Sequence, residues 1–529
     1  MEQKSMENVG MRLLKQGRRG AFRVVFSRGG LFIALLLLQM LIPLTLYGRF
    51  QEFATHYYGW ITFVYIVAVV YLLNSSIDAS AKLTWLILIM VAPAFGIGML
   101  IYTKLDIGHR AIKDRVEKIA EDAMTCIKQQ PEVLEKLKTE SPETYSLAQY
   151  LQRGGCHPVY ENNQVKYYSS GEEKFKDLLK ELENAKHFIF LEYFIIEEGV
   201  MWGKVLDILA KKAKEGVDVR LMYDGTCEFS TLPHDYPKRI KSLGIQCKMF
   251  APATPFLSTH YNYRDHRKIV VIDGHTAFTG GINLADEYIN LVNKHGHWKD
   301  SAIMVKGEAV KSFTLMFLHL WNVDEKAVNI KDFDRHLSLP AGKFIDSRGY
   351  VIPYGDCPLD KDKTGEMVYM DILNRAEKYV HIMTPYLILD GEMETAIKFA
   401  AERGVDVSII MPGVPDKKSA FALAKTHYKE LLDAGVKIYE YTPGFVHSKV
   451  FVSDDIKAVV GTINLDYRSL YHHFECAAYL FGTDCIADIE KDFIETREKC
   501  SLVTYETIKK EKLIVKLRGQ LLKAVAPLL

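Results

Sequence analysis

The sequence lacks the marks of several function classes. Its eight cysteines (Cys126, Cys156, Cys227, Cys247, Cys357, Cys476, Cys485 and Cys500) form no CxxC pair and no zinc-ligand spacing. That argues against a structural zinc module and predicts scattered thiols kept reduced. No GxGxxG or GxxxxGK loop occurs, so no nucleotide cofactor is implied. Charge of one sign is also missing: 67 Lys and Arg stand against 66 Asp and Glu, a net charge of +1, with no basic tract of the kind that coats nucleic acid. What the 529 residues do provide is length for two or three domains with cores of their own.

Charge is absent altogether from three stretches near the N-terminus, Leu31–Gly48, Tyr57–Asn74 and Leu83–Tyr102. Each has about the length of a membrane-crossing helix, and Tyr57, Tyr58, Trp60, Trp85 and Tyr102 sit near their ends, where amphipathic rings favour the headgroup layer. No small-x-small cleavage site follows the first run, so residues 1–104 are expected to be an uncleaved anchor of two or three transmembrane helices. Arg12, Lys15, Arg18, Arg19, Arg23 and Arg28 precede the first run, and Lys104, Arg110, Lys113, Arg115 and Lys118 follow the third. Both flanks ask for the cytoplasm, which three full crossings cannot satisfy; either one run is re-entrant or interfacial, or the charge rule fails at one end. The expected location is the cell membrane, multi-pass, with the cytoplasmic side favoured for the remainder of the chain.

After a charged connector over 105–170, the period of the apolar residues switches repeatedly between strand and helix, an α/β pattern, and it does so twice in the same order. The strand His187–Ile196, a helix over Lys204–Lys214 and the strand Val217–Tyr223 are matched by Tyr379–Ile388, Met393–Glu402 and Val405–Met411; GVDV opens the last strand both times. Gly244–Pro252 matches Gly435–Pro443 in pattern. Two similar α/β domains are therefore expected, 171–340 and 341–510, facing each other as a pseudo-twofold pair with the site between them. The first copy has ten more residues between its proline and the histidine that follows, around ATPFLSTHYN, a candidate substrate loop. A C-terminal segment, 511–529, has apolar residues at roughly helical spacing with Lys and Arg interspersed, suited to a lipid surface or to burial as a terminal helix.

Each copy carries the same constellation. His266, Lys268, Asp273, Gly280 and Asn283 recur as His447, Lys449, Asp454, Gly461 and Asn464 at identical spacing. Two histidines and two lysines are what a phosphodiester exchange needs without metal. One neutral imidazole attacks phosphorus, a second protonates the leaving alcohol and then deprotonates the acceptor, the lysines hold the phosphoryl charge, and Asn283 and Asn464 donate to its oxygens. His and Lys, two apart on a strand, share a face; Asp273 and Asp454, an odd number away, point elsewhere and read as supports for the catalytic residues. Arg264 and Arg267 either bind an anionic head group or pair with Asp265. The pattern alone does not decide which histidine attacks.

HxKxxxxD followed by GGxN or GTxN, present twice, resembles the phospholipase D superfamily. LEYFIIE (191–197), YRDHRK (263–268), HWKD (297–300), Trp321, NLDYRSL (464–470) and the terminal APLL resemble its bacterial cardiolipin synthases. The resemblance implies two tandem phospholipase D-like domains, with His266 as nucleophile and His447 as acid and base. By resemblance Glu475 orients His447, leaving Asp300 as the positional partner of His266. Asp265 and His473 depart from it, standing where asparagine is expected. The reaction implied is transfer of a phosphatidyl group from one phosphatidylglycerol to another, giving cardiolipin and glycerol within the membrane, with no cofactor, metal or nucleic acid. A phospholipase D hydrolase, a transferase using another alcohol, a nucleic-acid phosphodiesterase and a silent lipid-binding scaffold are the alternatives.

Overall fold

The computed structural model describes residues 51–75, 77–104, 113–120, 126–155, 157–252, 263–323, 325, 330–342, 344, 347–360 and 362–528. They fall into two compact units. The larger comprises the described parts of 112–252 and 263–520, the smaller those of 17–111 together with the C-terminus from Leu521.

The larger unit is mixed α/β. Its seven-stranded sheet runs in the order Gln164–Tyr168, Ala302–Lys306, Thr276–Gly280, Ile269–Ile272, Phe188–Tyr193, Asp218–Asp224, Gln246–Phe250. The second sheet repeats that order with Tyr350–Asp356, His473–Phe481, Lys457–Gly461, Val450–Ser453, Tyr379–Met383, Asp406–Pro412 and Lys437–Tyr441. Tyr160–Glu161 and Cys500–Leu502 extend its edges. In both sheets the last three strands are parallel and joined by helices such as Val200–Lys214 and Gly391–Glu402, as right-handed crossovers require, while the motif strands pair antiparallel.

Strand alternation sorts the side chains into layers. Phe188 and Phe190 join one core with Val450, Val452 and Phe474 of the other sheet, whereas Ile189 and Leu191 pack outward with Trp202, Val205 and Leu209 of the crossover helix. On the second sheet Val380, Ile382 and Ile409 face outward onto Met393, Ile397 and Ala400. The two sheets thus share one apolar layer. The helix Val310–Trp321 lies in it and is apolar nearly all round, as a helix without a solvent face must be.

The connector is more closely built in than the sequence suggests. Val133, Leu137, Leu147 and Leu151 of the helices Pro131–Glu140 and Pro142–Gly155 pack in one core with Tyr350, Ile352 and Tyr354. Gln164–Tyr168 is already an edge strand of the first sheet, so that sheet begins before 171.

In the smaller unit the expected spans are not what folds. The first apolar run lies outside the described residues. The second forms most of the helix Gln51–Asn74, and the third breaks into Ala79–Val91 and Pro93–Lys104. Pro93 has no N–H to continue the first helix, and Ala92 leaves helical geometry at φ −141°. The two pieces fold back on each other: a Cβ on Gly96 would lie 2.8 Å from Ile89 Cα. At 13 and 12 residues they reach roughly 20 Å each, short of the roughly 30 Å of a bilayer core. No helix among the described residues is long and apolar enough to cross a membrane. The unit is nonetheless apolar outside as well as inside: Leu72, Trp85, Ile89 and Leu100 form its core while Phe63, Val67, Leu83, Met90 and Val91 are exposed, Val91 by 78%. The C-terminal helix Leu513–Lys523 likewise leaves Leu513, Ile514, Leu517 and Leu521 exposed along one face.

Both motif aspartates hold a turn. Asp273 and Asp454 have φ of 51° and 54°, a left-handed conformation that short polar residues tolerate. Their carboxylates each accept three backbone N–H groups at the start of a neighbouring strand: Lys186, His187 and Phe188 for Asp273, and Glu377, Lys378 and Tyr379 for Asp454. They tie the motif hairpin to the strand beside it. Asp273→Ala leaves three donors without their acceptor and should lower unfolding stability by about 2–4 kcal/mol, read by denaturant unfolding of the purified chain; an unchanged midpoint would sink the supporting role.

Candidate active site

Each half completes the other. Arg264–Asp265 pairs in parallel with His473–Phe474, and Gly444–Val446 pairs with His297–Lys299, so each motif is entered from a strand lying against the opposite half. The backbone N–H of His266 donates to Phe474 O at 2.9 Å, and that of His447 to Lys299 O at 2.7 Å. The next residue along each partner strand is acidic: Glu475 and Asp300.

These carboxylates bind the histidines crosswise. His266 Nδ1 lies 2.8 and 2.9 Å from the two oxygens of Glu475, and His447 Nδ1 lies 2.7 Å from Asp300. This is the reverse of the expected assignment. Sequence distance favours Glu475 for His447, but pairing between halves sets Glu475 one residue beyond the strand contact that holds His266. Both carboxylates are fully buried.

The repeated glycines let neighbouring strands within each sheet close up. A Cβ on Gly280 would lie 2.5 Å from Ala302 Cα, and one on Gly461 2.3 Å from Ala477 Cβ. At the following position the halves differ. Gly281 leaves room for Asp300, whose Oδ1 a Cβ there would meet at 2.0 Å. Thr462 instead donates its hydroxyl to Glu475 at 2.5 Å and accepts from Cys476 N. Thr462 was not singled out from the sequence, although the GG and GT versions of the motif differ at that position.

The two lysines are nearly buried, and each folds back to donate to the carbonyl of its own motif histidine, Lys268 to His266 and Lys449 to His447. Burial lowers Lys268 to about 8 and Lys449 to about 7 against the pull of Glu475 and Asp300. Burial first and the neighbouring lysines second lower both histidines, His447 to about 4 and His266 far below its ordinary value. His447 is partly rescued by Asp300, which, despite its own burial, is held low by His447 and Lys449. Four groups that can carry positive charge thus crowd a dry site, an arrangement that a bound phosphodiester anion relieves.

The asparagines are partly committed. Asn283 accepts from Ile195 N and donates one amide hydrogen to Tyr288; Asn464 donates one to Ser469 at 3.1 Å. One amide hydrogen of each remains beyond those bonds. The arginines are engaged by protein groups. Arg267, buried, donates to Glu192 at 2.5 Å and to Met316 O, with Asp265 at 3.7 Å; Arg264 donates to Ala251 O and stands 3.5 Å from Asp224. A guanidinium taken out of water keeps a carboxylate and carbonyls as partners, and these are protein groups here.

The two departures from the expected asparagines have separate explanations. Against the pull of Arg267, burial and then Glu192 push the Asp265 carboxyl far above the usual range, which favours its protonated form. A neutral carboxyl is close in size and hydrogen-bonding capacity to the amide expected there. His473 is a third imidazole in the site: its ring lies 5.2 Å from that of His266, and burial lowers it to about 3. Phe194 meets His266 edge-on at 4.8 Å, and Tyr288 and Trp298 flank His447 at 5.5 Å. Phe194 and Trp298 stand in quoted motifs; nothing in the pattern marks Tyr288. The loop 253–262 lies outside the described residues.

Residues 178–321 and 369–497 each match the family described as cardiolipin synthase, PLD-like domain. The chain belongs to this phospholipase D-like cardiolipin synthase family. An uncharacterized protein of Streptococcus mutans is 57% identical over 88% of this chain and all of its own length. A cardiolipin synthase of Alkalihalophilus pseudofirmus is 33% identical over 84% of this chain and 88% of its own. A phosphatidylserine synthase of Haemophilus influenzae shares the fold, with a TM-score of 0.56 at 16% identity over 73% of this chain and 98% of its own. Within the family's paired motifs, the geometry here assigns each histidine a carboxylate from the opposite half.

Two measurements follow from this geometry. Glu475→Gln and Asp300→Asn each leave a ring without its carboxylate and should lower kcat roughly a hundredfold to ten-thousandfold, with the fold retained by circular dichroism. A loss under tenfold in both would remove the orienting role. Second, the lysines are lowered in the empty site and raised by a bound anion, so anion binding takes up protons above the free-site values. Affinity for dimethyl phosphate should therefore be flat below pH 7 and fall above it, as Lys449 at about 7 and then Lys268 at about 8 lose their protons. The limiting slope is about tenfold per pH unit for each proton taken up; pH-independent binding from 6 to 9.5 contradicts the charge assignment.

Proposed function

We propose that this chain is a cardiolipin synthase that transfers a phosphatidyl group between two phosphatidylglycerol molecules through a phosphohistidine. The observation that carries the proposal is the pair of crossed histidine–carboxylate couples with a buried lysine beside each.

His266 is the nucleophile. Its Nδ1–H donates to Glu475, leaving the Nε2 lone pair for phosphorus, and its strongly lowered pKa keeps the ring neutral. His447 is the acid: Asp300 favours its protonated form, so of the two rings it takes the proton more readily. Nε2 of His266 attacks the phosphorus of the first phosphatidylglycerol, the bond from phosphorus to the head-group glycerol oxygen breaks, and His447 gives that oxygen its proton. The terminal hydroxyl of a second phosphatidylglycerol then loses its proton to His447 and attacks, the P–N bond breaks, and cardiolipin leaves. One phosphodiester replaces another, so no external energy source is needed. Lys268 and Lys449 hold the phosphoryl oxygens, with the free amide hydrogens of Asn283 and Asn464 beside them.

The smaller unit is the membrane attachment. Its exposed Phe63, Val67, Leu83, Met90 and Val91 suit acyl chains, and the exposed stripe of the C-terminal helix, with Lys516, Arg518 and Lys523 interspersed, suits the anionic lipid surface. A hairpin at 79–104 that enters and leaves on one side would also remove the conflict between the two basic flanks, which supports a cytoplasmic catalytic unit.

The test is product analysis of the full chain in mixed micelles with phosphatidylglycerol as sole lipid. Equal amounts of cardiolipin and glycerol, lost in His266→Ala, support the proposal. Phosphatidic acid in their place would identify a hydrolase, and no product would discard the substrate.

A further inference from the structure

His473 has no role in the reaction just described, and it stands where the resemblance calls for asparagine. Its Nδ1 is buried, has no hydrogen-bond partner, and points toward Glu475, 3.5 Å from Oε1; the side chain is 8% exposed. His266 Nδ1 reaches the same carboxylate at 2.8 Å. One ligand atom from each of His266, His473 and Glu475 lies within 4.8 Å of the other two.

We propose that His266, His473 and Glu475 form an inhibitory site for a borderline-soft divalent cation of the zinc type. Two imidazoles and one carboxylate are a preferred donor set for Zn²⁺, and bonds of about 2.0–2.1 Å at tetrahedral angles space neighbouring ligand atoms at roughly 3.4 Å. The His473–Glu475 separation already has that value, and the His266–Glu475 hydrogen bond needs to open by only about half an ångström to match it. The fourth position is left for water or a phosphoryl oxygen. An asparagine at 473 offers no imidazole nitrogen, so the site exists through that one change.

Inhibition follows from the tautomer. In the metal-free ring the proton sits on Nδ1 and the lone pair on Nε2 faces phosphorus. A cation on Nδ1 displaces that proton, and the neutral ring then carries its single proton on Nε2, where the nucleophilic pair was. The cation also takes the carboxylate that oriented the ring. The consequence for turnover rests on phosphatidyl transfer being the reaction; the binding does not.

The test uses the full chain in detergent, stripped of metal and titrated with ZnCl₂ by calorimetry, and with Co²⁺ by visible absorption. One equivalent should bind, with a cobalt spectrum lacking thiolate charge transfer. In His473→Asn the affinity should fall by roughly tenfold or more, the unfolding midpoint showing that the variant is folded. In the phosphatidylglycerol assay zinc should inhibit the parent chain reversibly and His473→Asn at least about tenfold less well. No tight equivalent in the parent chain, undiminished affinity in His473→Asn, or thiolate bands in the cobalt spectrum would each overturn the site. Tight binding, lost in His473→Asn, by a chain that makes no cardiolipin upholds the site while removing the transferase reading.

Discussion

The active site depends on keeping two imidazoles oriented and dry beside two lysines. Burial disfavours every charge in that group, and the four potential cations disfavour one another. Asp300 and Glu475 are the leading groups that oppose this at the lysines. Each is fully buried and each meets its histidine through Nδ1, so the carboxylates fix the tautomer as well as offsetting the charge. The incoming phosphodiester completes the balance.

That constraint explains why the chain is duplicated. Among the described residues, each motif histidine takes its carboxylate from the other half. The short parallel pairings 264–265 with 473–474 and 444–446 with 297–299 carry each motif onto the other half, and the orienting acid follows the paired residue. The glycines of the motif keep each sheet closed beside it, since a side chain at 280 or 461 would push a strand away from its neighbour. The shared apolar layer, with Val310–Trp321 inside it, keeps the sheets at the spacing this needs.

Differences between the halves show where the site has been adjusted. Gly281 admits Asp300 directly, while Thr462 adds a hydroxyl to Glu475. Asp265 stands where an amide is expected, its carboxyl pushed upward by burial and Glu192. His473 brings a third ring to the attacking histidine alone. The first motif, which carries the proposed nucleophile, has the more elaborate surroundings.

The sequence by itself determined the repeat, the α/β class, the paired motifs and the supporting place of Asp273 and Asp454, because strand period and fixed spacing are local. It could not determine which acid serves which histidine, since that depends on pairings between residues 147 and 209 apart. The arginines were left open for the same reason: a guanidinium near the motif is equally fit for substrate or for a buried carboxylate, and only packing revealed Glu192 and Met316 as partners of Arg267. Apolar run length suggested a third crossing, but Pro93 removes one N–H and folds that run back at Gly96 and Ile89. The chemistry was written in residue types at fixed intervals, and its wiring was decided by which strands met.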